Sequence, residues 1–246
     1  MNKIIRGSNT NNKKVVGLFV GQVIVGVMPV LLLIAFVAFK LYNHPIVAAI
    51  VIGLILLCHV ASSILSRRYC VLSSGVTGEK KLYRAVKKLG GNNIIFRNLP
   101  VRYKRGRSEL DLLIISHKGV IIVEVKNHSG TISGSWKADK WMQKKFYRDG
   151  KNSQQEMDNP IKQMRRQRDI VKSILNASGE DVWIDTVLYF SAPNAKLRLS
   201  LRENDYVCSS EAELKNFLET YNCGHTLSMS KMQKIAEILQ KASEDA

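Results

Sequence analysis

The chain has 246 residues, 37 Lys and Arg against 20 Asp and Glu, a formal charge of +17, and four cysteines. Length alone permits one large domain or a mid-sized domain with an appendage, while so basic a balance fits partners that are anionic, either nucleic acid or a lipid surface. Cys58, Cys70, Cys208 and Cys223 have no C-x-x-C spacing, so neither a zinc site nor a disulfide framework is indicated.

In chain order, residues 1–14 form a basic N-terminus with Lys3, Arg6, Lys13 and Lys14. Residues 15–66 then read as a transmembrane helical hairpin. Val15 to Phe39 is uncharged and mostly apolar over about 25 residues, and Ile46 to Leu65 over about 20, each enough to cross a hydrocarbon core of roughly 30 Å. The first run is too long for a signal-peptide core and is followed at once by the second. Every Asp and Glu falls at or after Glu79, and residues 1–66 carry +5 of the charge, leaving +12 for the remainder. Basic residues before the first span, with Arg67 and Arg68 after the second, outnumber Lys40 and His44 in the connection. The positive-inside rule therefore places both termini in the cytoplasm, at a cell (inner) membrane.

From about Ser74 the pattern is mixed α/β. Gly78 to Leu89 predicts a helix with Leu82, Val86 and Leu89 on one side, ended by Gly90-Gly91. Asn93 to Val101 predicts a strand, followed by a basic loop from Arg102 to Arg107. Leu110 to Ile115 and Val120 to Val125 predict a buried hairpin around Ser116-His117-Lys118-Gly119. Short β-like segments run to Tyr147, then a polar loop leads to a helix announced by Asn159-Pro160. Val182 to Phe190 predicts a further buried strand, and capping patterns at Ser210 and Ser230 start two closing helices.

Chemistry concentrates on the hairpin. Side chains alternate along a strand, so Glu124 and Lys126 project to the same side. If Lys118-Gly119 is the two-residue turn, Asp111 pairs with Lys126; if His117-Lys118 is, Asp111 faces Glu124. Either register sets the three side chains on one face, about 5 to 8 Å apart at the backbone. Two converging carboxylates raise each other's pKa unless a cation lies between them, and hard oxygen ligands suit Mg²⁺ or Mn²⁺. Asp111 and Glu124 are the candidate metal ligands, and Lys126 would orient a nucleophile or offset developing charge.

On the helix after Asn159, Gln163 and Gln167 fall inside a face formed by Ile161, Met164, Ile170, Val171, Ile174 and Leu175. A buried amide needs partners. Gln163 reads as a member of the polar site, Gln167 as a cap or core amide. Glu79 is either a helix-dipole placement or a third carboxylate reaching the site. Lys104, Arg105 and Arg107, just before Asp111, and Arg165 and Arg166 on the helix are candidate phosphate contacts.

Taken together, Gly78-Glu79, Leu110-Asp111-Leu112-Leu113-Ile114, Gly119 to Lys126, Gly130, Trp141 and Asn159-Pro160-Ile161-Lys162-Gln163 resemble the NERD (nuclease-related) domain, a branch of the PD-(D/E)xK nuclease superfamily, over residues 75–191. That resemblance implies a restriction-endonuclease-like mixed sheet flanked by helices. Asp111, Glu124 and Lys126 would be its catalytic set, supported by Glu79 and Gln163. Residues 192–246 lie outside it as a C-terminal strand and helical extension. The sequence departs at Leu112, where many relatives carry a histidine. The expected activity is metal-dependent phosphodiester hydrolysis in DNA by a membrane-anchored nuclease. The alternative is a non-catalytic membrane adaptor that uses the same fold to bind nucleic acid or a protein.

Overall fold

The computed structural model describes residues 2–7, 10–147 and 149–245. The chain divides into two compact units, one of residues Asn9–Val76 and one of Met1–Ser8 with Thr77–Ala246.

The first unit is a helical hairpin. Helix α1 (Thr10–Ala38) and helix α2 (Pro45–Lys87) flank a short 3₁₀ turn at Leu41–Asn43. They pack antiparallel: Gln22 donates to Ser66 Oγ at 3.3 Å and the rings of Phe19 and Tyr69 lie 5.8 Å apart. Both helices are long and apolar enough to cross a membrane, with apolar windows of mean hydropathy 2.6 and 2.5. Large side chains such as Phe19, Leu31, Ile34, Leu56 and Leu57 are exposed, which is the reverse of a soluble core helix. The helix expected to begin at Gly78 is not separate. No proline intervenes after Leu65, and α2 runs through Gly75 and Gly78 to Lys87.

The second unit is the mixed α/β domain the sequence predicts, built on two sheets. The central sheet has the order β1-β2-β3-β4-β8-β10, where β1 is Lys3–Arg6, β2 Ile94–Tyr103, β3 Gly106–Ser116, β4 Gly119–Lys126, β8 Ile184–Phe190 and β10 Tyr206–Cys208. Strands β2, β3 and β4 form an antiparallel meander, while β1, β8 and β10 join in parallel. Helices α3 (Pro160–Ala177) and α5 (Met229–Glu244) cover one face through Val171, Leu175, Met232, Ile235 and Leu239. The end of α2 and helix α4 (Glu211–Thr220) cover the other through Leu82, Val86, Leu214 and Leu218.

A second sheet, β7-β6-β5-β9, comprises β5 (Gly130–Ser135), β6 (Lys140–Phe146), β7 (Asn152–Asp158) and β9 (Ala195–Ser200). Its core residues Ile132 and Trp141 pack with Ile161 and Met164 of α3. The segment expected as a polar loop before Asn159 is β7, an edge strand with one polar face in water. The basic loop expected at Arg102 to Arg107 is instead a tight hairpin, because β2 runs on to Tyr103 and pairs it with Gly106. Asn159 caps α3, accepting from Ile161 N at 2.9 Å, while its amide donates to the carbonyls of Ser135 and Ala138. Ser210 caps α4 as expected, but the cap of α5 is Ser228, two residues before the predicted Ser230.

The segment before α1 was expected only as a basic tail. Its residues Lys3 to Arg6 pair with Ile94 to Arg97 as an edge strand. Gly7 follows because a Cβ there would come within 2.0 Å of the Asn98 carbonyl oxygen.

Candidate active site

The β3–β4 register settles which residues face one another. Ser116 pairs with Gly119 and Leu112 with Val123, so His117-Lys118 is the turn and Asp111 falls opposite Glu124. The β2–β3 register places Asn98 opposite Asp111 in the same way. This row is where the sheet opens. The β2–β3 pairing skips it, passing from Arg97↔Leu112 to Leu99↔Leu110, and the β3–β4 pairing ends just before it.

The opening has a backbone cause. Asn98 adopts φ 50°, a left-handed conformation that asparagine tolerates better than most residues. On each side of it the inward phase reverses: Phe96 and Leu99, like Leu110 and Leu113, are three residues apart yet belong to one core cluster. Strict alternation, on which the sequence argument relied, therefore does not carry through Asp111. Asp111 instead turns its carboxylate toward the gap, where Oδ2 accepts the Val125 N–H at 2.8 Å.

Glu124 is 2 % exposed and its charge is met by three side chains. Lys126 Nζ and Gln163 Nε2 both donate to Oε1 at 2.7 Å, and Gln167 Nε2 donates to Oε2 at 2.8 Å. Lys126 Nζ also donates to Gln163 Oε1 at 3.0 Å, so Gln163 bridges the acid and the amine. Helix α3 sets this up through its spacing: residues 163 and 167 are one turn apart on the face that meets β4.

Asp111 differs from Glu124 in having little compensation. Burial and the facing Glu124 charge hold its carboxyl well above the usual carboxylate range, against the pull of the Val125 N–H and Lys126; Glu79 pushes the same way as Glu124. Asp111 nonetheless keeps part of its surface open, so it sits in a cleft rather than in sealed core. Glu79 accepts from Asn98 Nδ2 at 2.7 Å. Its charge reaches Asp111, but among the described residues no three of His, Cys, Asp and Glu are grouped closely enough to share a metal ion. Next along the chain, His128 bonds Gln143 Oε1 at 3.1 Å, and burial lowers its pKa.

The structure thus brings together Asp111, Glu124, Lys126, Gln163 and Glu79, and adds two members. Gln167, expected to be a core amide, holds Glu124 and the Glu109 carbonyl, the latter at 3.1 Å; its i, i+4 spacing from Gln163 was the available signal. Asn98 gave no signal, because its conformation depends on strand pairing.

The basic candidates separate. Lys104, Arg105 and Arg107 are exposed at and beside the β2–β3 turn, and Arg166 is exposed on α3. Arg165 is committed elsewhere, donating to both carboxylate oxygens of Asp205 at 2.7 and 3.0 Å, so its charge is already matched. Arg166, Lys162, Asp169 and Tyr103 line an open groove of about 490 Å³ between α3 and the hairpin.

The family model for the nuclease-related domain matches residues 74–191, a little under half the chain. An uncharacterized protein of Bacillus anthracis is 37% identical over 71 residues, which is 28% of this chain and 34% of that protein. The chain thus spans about a third of that relative's length. No solved structure gives a significant match.

Proposed function

We propose, from the premise that residues 74–191 form a nuclease-related domain, that this chain is a membrane-anchored, metal-dependent nuclease hydrolysing phosphodiester bonds in DNA. One observation carries the reading. At the point where the sheet opens, a buried, triply bonded glutamate faces an aspartate whose charge is only partly compensated and whose surface is partly open.

The donor set fits a hard divalent ion such as Mg²⁺ or Mn²⁺. Asp111 and Glu124 would supply two carboxylate ligands, leaving most positions to water and phosphate oxygens, as Mg²⁺ favours. Relief of the like-charge pressure on Asp111 is the gain on binding. Such an ion supplies charge neutralisation at the phosphoryl group and acidifies a bound water. Lys126, held by Glu124 and Gln163, keeps a cation at the cleft that stabilises negative charge developing on the phosphoryl oxygens. Gln163 and Gln167 fix the Glu124 carboxylate so that its geometry does not depend on the ion. Glu79, tied to Asn98, acts through the field at Asp111.

Lys104, Arg105, Arg107 and Arg166 would bind the phosphates of the substrate. The exposed apolar surfaces of α1 and α2 support anchoring in lipid. With two spans between them, the N-terminal strand β1 and the domain it joins fall on one side, and the distribution of Lys and Arg makes that side cytoplasmic.

A second reading has its own support. With no group of three ligands among the described residues and each Glu124 oxygen already bonded, the same fold could bind nucleic acid or a protein at the membrane without cutting. The purified full chain, in detergent, is incubated with DNA and RNA with and without Mg²⁺. Cleavage that needs Mg²⁺ and is lost in Lys126→Ala supports the nuclease. Salt-sensitive DNA binding without cleavage supports the adaptor and rejects turnover.

A further inference from the structure

The second sheet ends in a hairpin whose surface the catalytic reading leaves unexplained. Strand β6 alternates cleanly. Trp141 and Gln143 point into the core, at 1 % and 3 % exposure, so Met142, Lys144 and Phe146 lie on the outer face. Phe146 stands at the end of the strand and is 69 % exposed, and the next residue, Tyr147, is 52 % exposed. A phenyl ring so placed contributes little to the core, and its neighbours on the outer face are hydrophilic. The register sets Phe146 opposite Asn152, Lys144 opposite Gln154, and Thr131 beside Lys144. Lys144 Nζ lies 5.1 Å from the centre of the Phe146 ring. Tyr147 is fixed at the tip, its N–H donating to the Lys151 carbonyl at 2.9 Å.

The end of this strand borders the segment that leaves the cleft. The segment that follows Lys126 runs directly against β6: a Cβ on Gly130 would come within 2.4 Å of the Lys144 carbonyl oxygen. His128 bonds Gln143, and the charges of both Lys126 and Lys145 act on it. The exposed ring is thus only a few residues along one strand from a lysine that shares its electrostatic surroundings with the site.

We propose that the β6–β7 hairpin is a single-strand platform: Phe146 stacks an unpaired base beside the cleft, and Lys144, on the same face, holds the adjoining phosphate. The preferred substrate is therefore single-stranded DNA or a frayed end rather than continuous duplex. An aromatic face set among lysines and amides suits this role, because every base offers a π-face to stack and a backbone to neutralise. A lipid-inserting tip would surround the ring with aliphatic side chains, whereas Phe146 is followed by Tyr147 and bordered on its face by Lys144, Gln154, Asn152 and Thr131. This inference rests on the nucleic-acid reading of the site but not on turnover.

The test is binding by the full chain in detergent with EDTA present, so that affinity is read without cleavage, using a fluorescent oligothymidine of about 15 nucleotides and a blunt duplex. Phe146→Ala weakens single-strand binding by about tenfold or more and leaves duplex binding unchanged. Phe146→Leu, which keeps an apolar side chain without a π-face, shows the same loss. Phe146→Trp retains binding, and its added fluorescence is quenched by the oligonucleotide. Unchanged single-strand affinity in Phe146→Ala, or equal losses on both probes, overturns the platform. So does a Phe146→Ala variant that loses only its binding to vesicles of phosphatidylcholine and phosphatidylserine. Absence of Mg²⁺-dependent cleavage with the Phe146 effect intact would instead reject the nuclease and keep the platform.

Discussion

Replacing Gln167 by methionine tests whether the buried amide serves folding or the carboxylate it holds. The side chain is fully buried. Its Nε2 makes two hydrogen bonds, to Glu124 Oε2 at 2.8 Å and to the Glu109 carbonyl at 3.1 Å, while Oε1 has no partner among the described residues. Losing a bond to a charged acceptor costs about 1.5–3 kcal/mol and a neutral one about 1 kcal/mol, but the orphaned oxygen already costs about 1–3 kcal/mol and disappears with the amide. Methionine conserves volume, so no cavity is added. The net change in stability is then within about 1–2 kcal/mol, or a few degrees in Tm for a chain of this size. Glu124, by contrast, loses the donor that orients its second oxygen, and Mg²⁺ affinity falls by about 10–100-fold, the usual effect of removing such a support. Thermal unfolding of the full chain in detergent, followed by circular dichroism over a Mg²⁺ titration from EDTA, measures both quantities, since a ligand specific for the folded state raises Tm in proportion to its saturation. A variant whose Mg²⁺-dependent rise in Tm matches wild type would refute the positioning role; a metal-free Tm lowered by more than about ten degrees would show that Gln167 mainly supports folding.

Asp111→Asn separates charge from fold. Because the folded pKa of Asp111 lies above its ordinary value, the folded state binds the proton more tightly than the unfolded chain. The resulting stability is complete below the ordinary aspartate range and is lost as pH rises through the raised folded value. The metal-free wild type should therefore lose stability over that interval, the variant should show a flatter profile, and Mg²⁺ should stabilise only the wild type; identical pH profiles would contradict the raised Asp111 pKa. Arg105→Ala should weaken DNA binding and reduce the salt slope by about one, whereas Arg165→Ala should leave the slope unchanged and lower Tm, because Arg165 is spent on Asp205. Salt titrations of DNA affinity distinguish them. Gly7→Ala, with its Cβ driven to within 2.0 Å of the Asn98 carbonyl, should release β1 from the sheet edge at a cost of about 1–3 kcal/mol. The readout is faster amide exchange at Ile5 and at the Gly7 N–H, which donates to the Arg97 carbonyl.

Much of this molecule is legible in local pattern. The two apolar runs, the buried β3–β4 hairpin, the Asn159-Pro160 start of α3 and the grouping of Glu124, Lys126 and Gln163 all follow from spacing, because hydrophobic period and capping chemistry act over a few residues. The resemblance to the nuclease-related domain followed from those same pieces. Misreadings arose where the deciding contact was distant. Residues 3–6 carry too little pattern to announce a strand, and they become one only because the edge of β2 offers unpaired groups. The polar run from Asn152 to Asp158 looks like a loop until β6 pairs with it.

The site shows the same division more sharply. By itself the sequence determined which acids and amine share a hairpin end, and it narrowed the turn to two registers. Only the tertiary structure decided between them, since a one-step slide changes which side chains face each other and the packing of both sheet faces selects one. It also decided that the sheet opens at Asn98 and Asp111, where the left-handed Asn98 lies between stretches of opposite inward phase, and that Gln167 serves Glu124. Those outcomes depend on the balance of buried surface across β2, β3 and α3, which no segment contains alone.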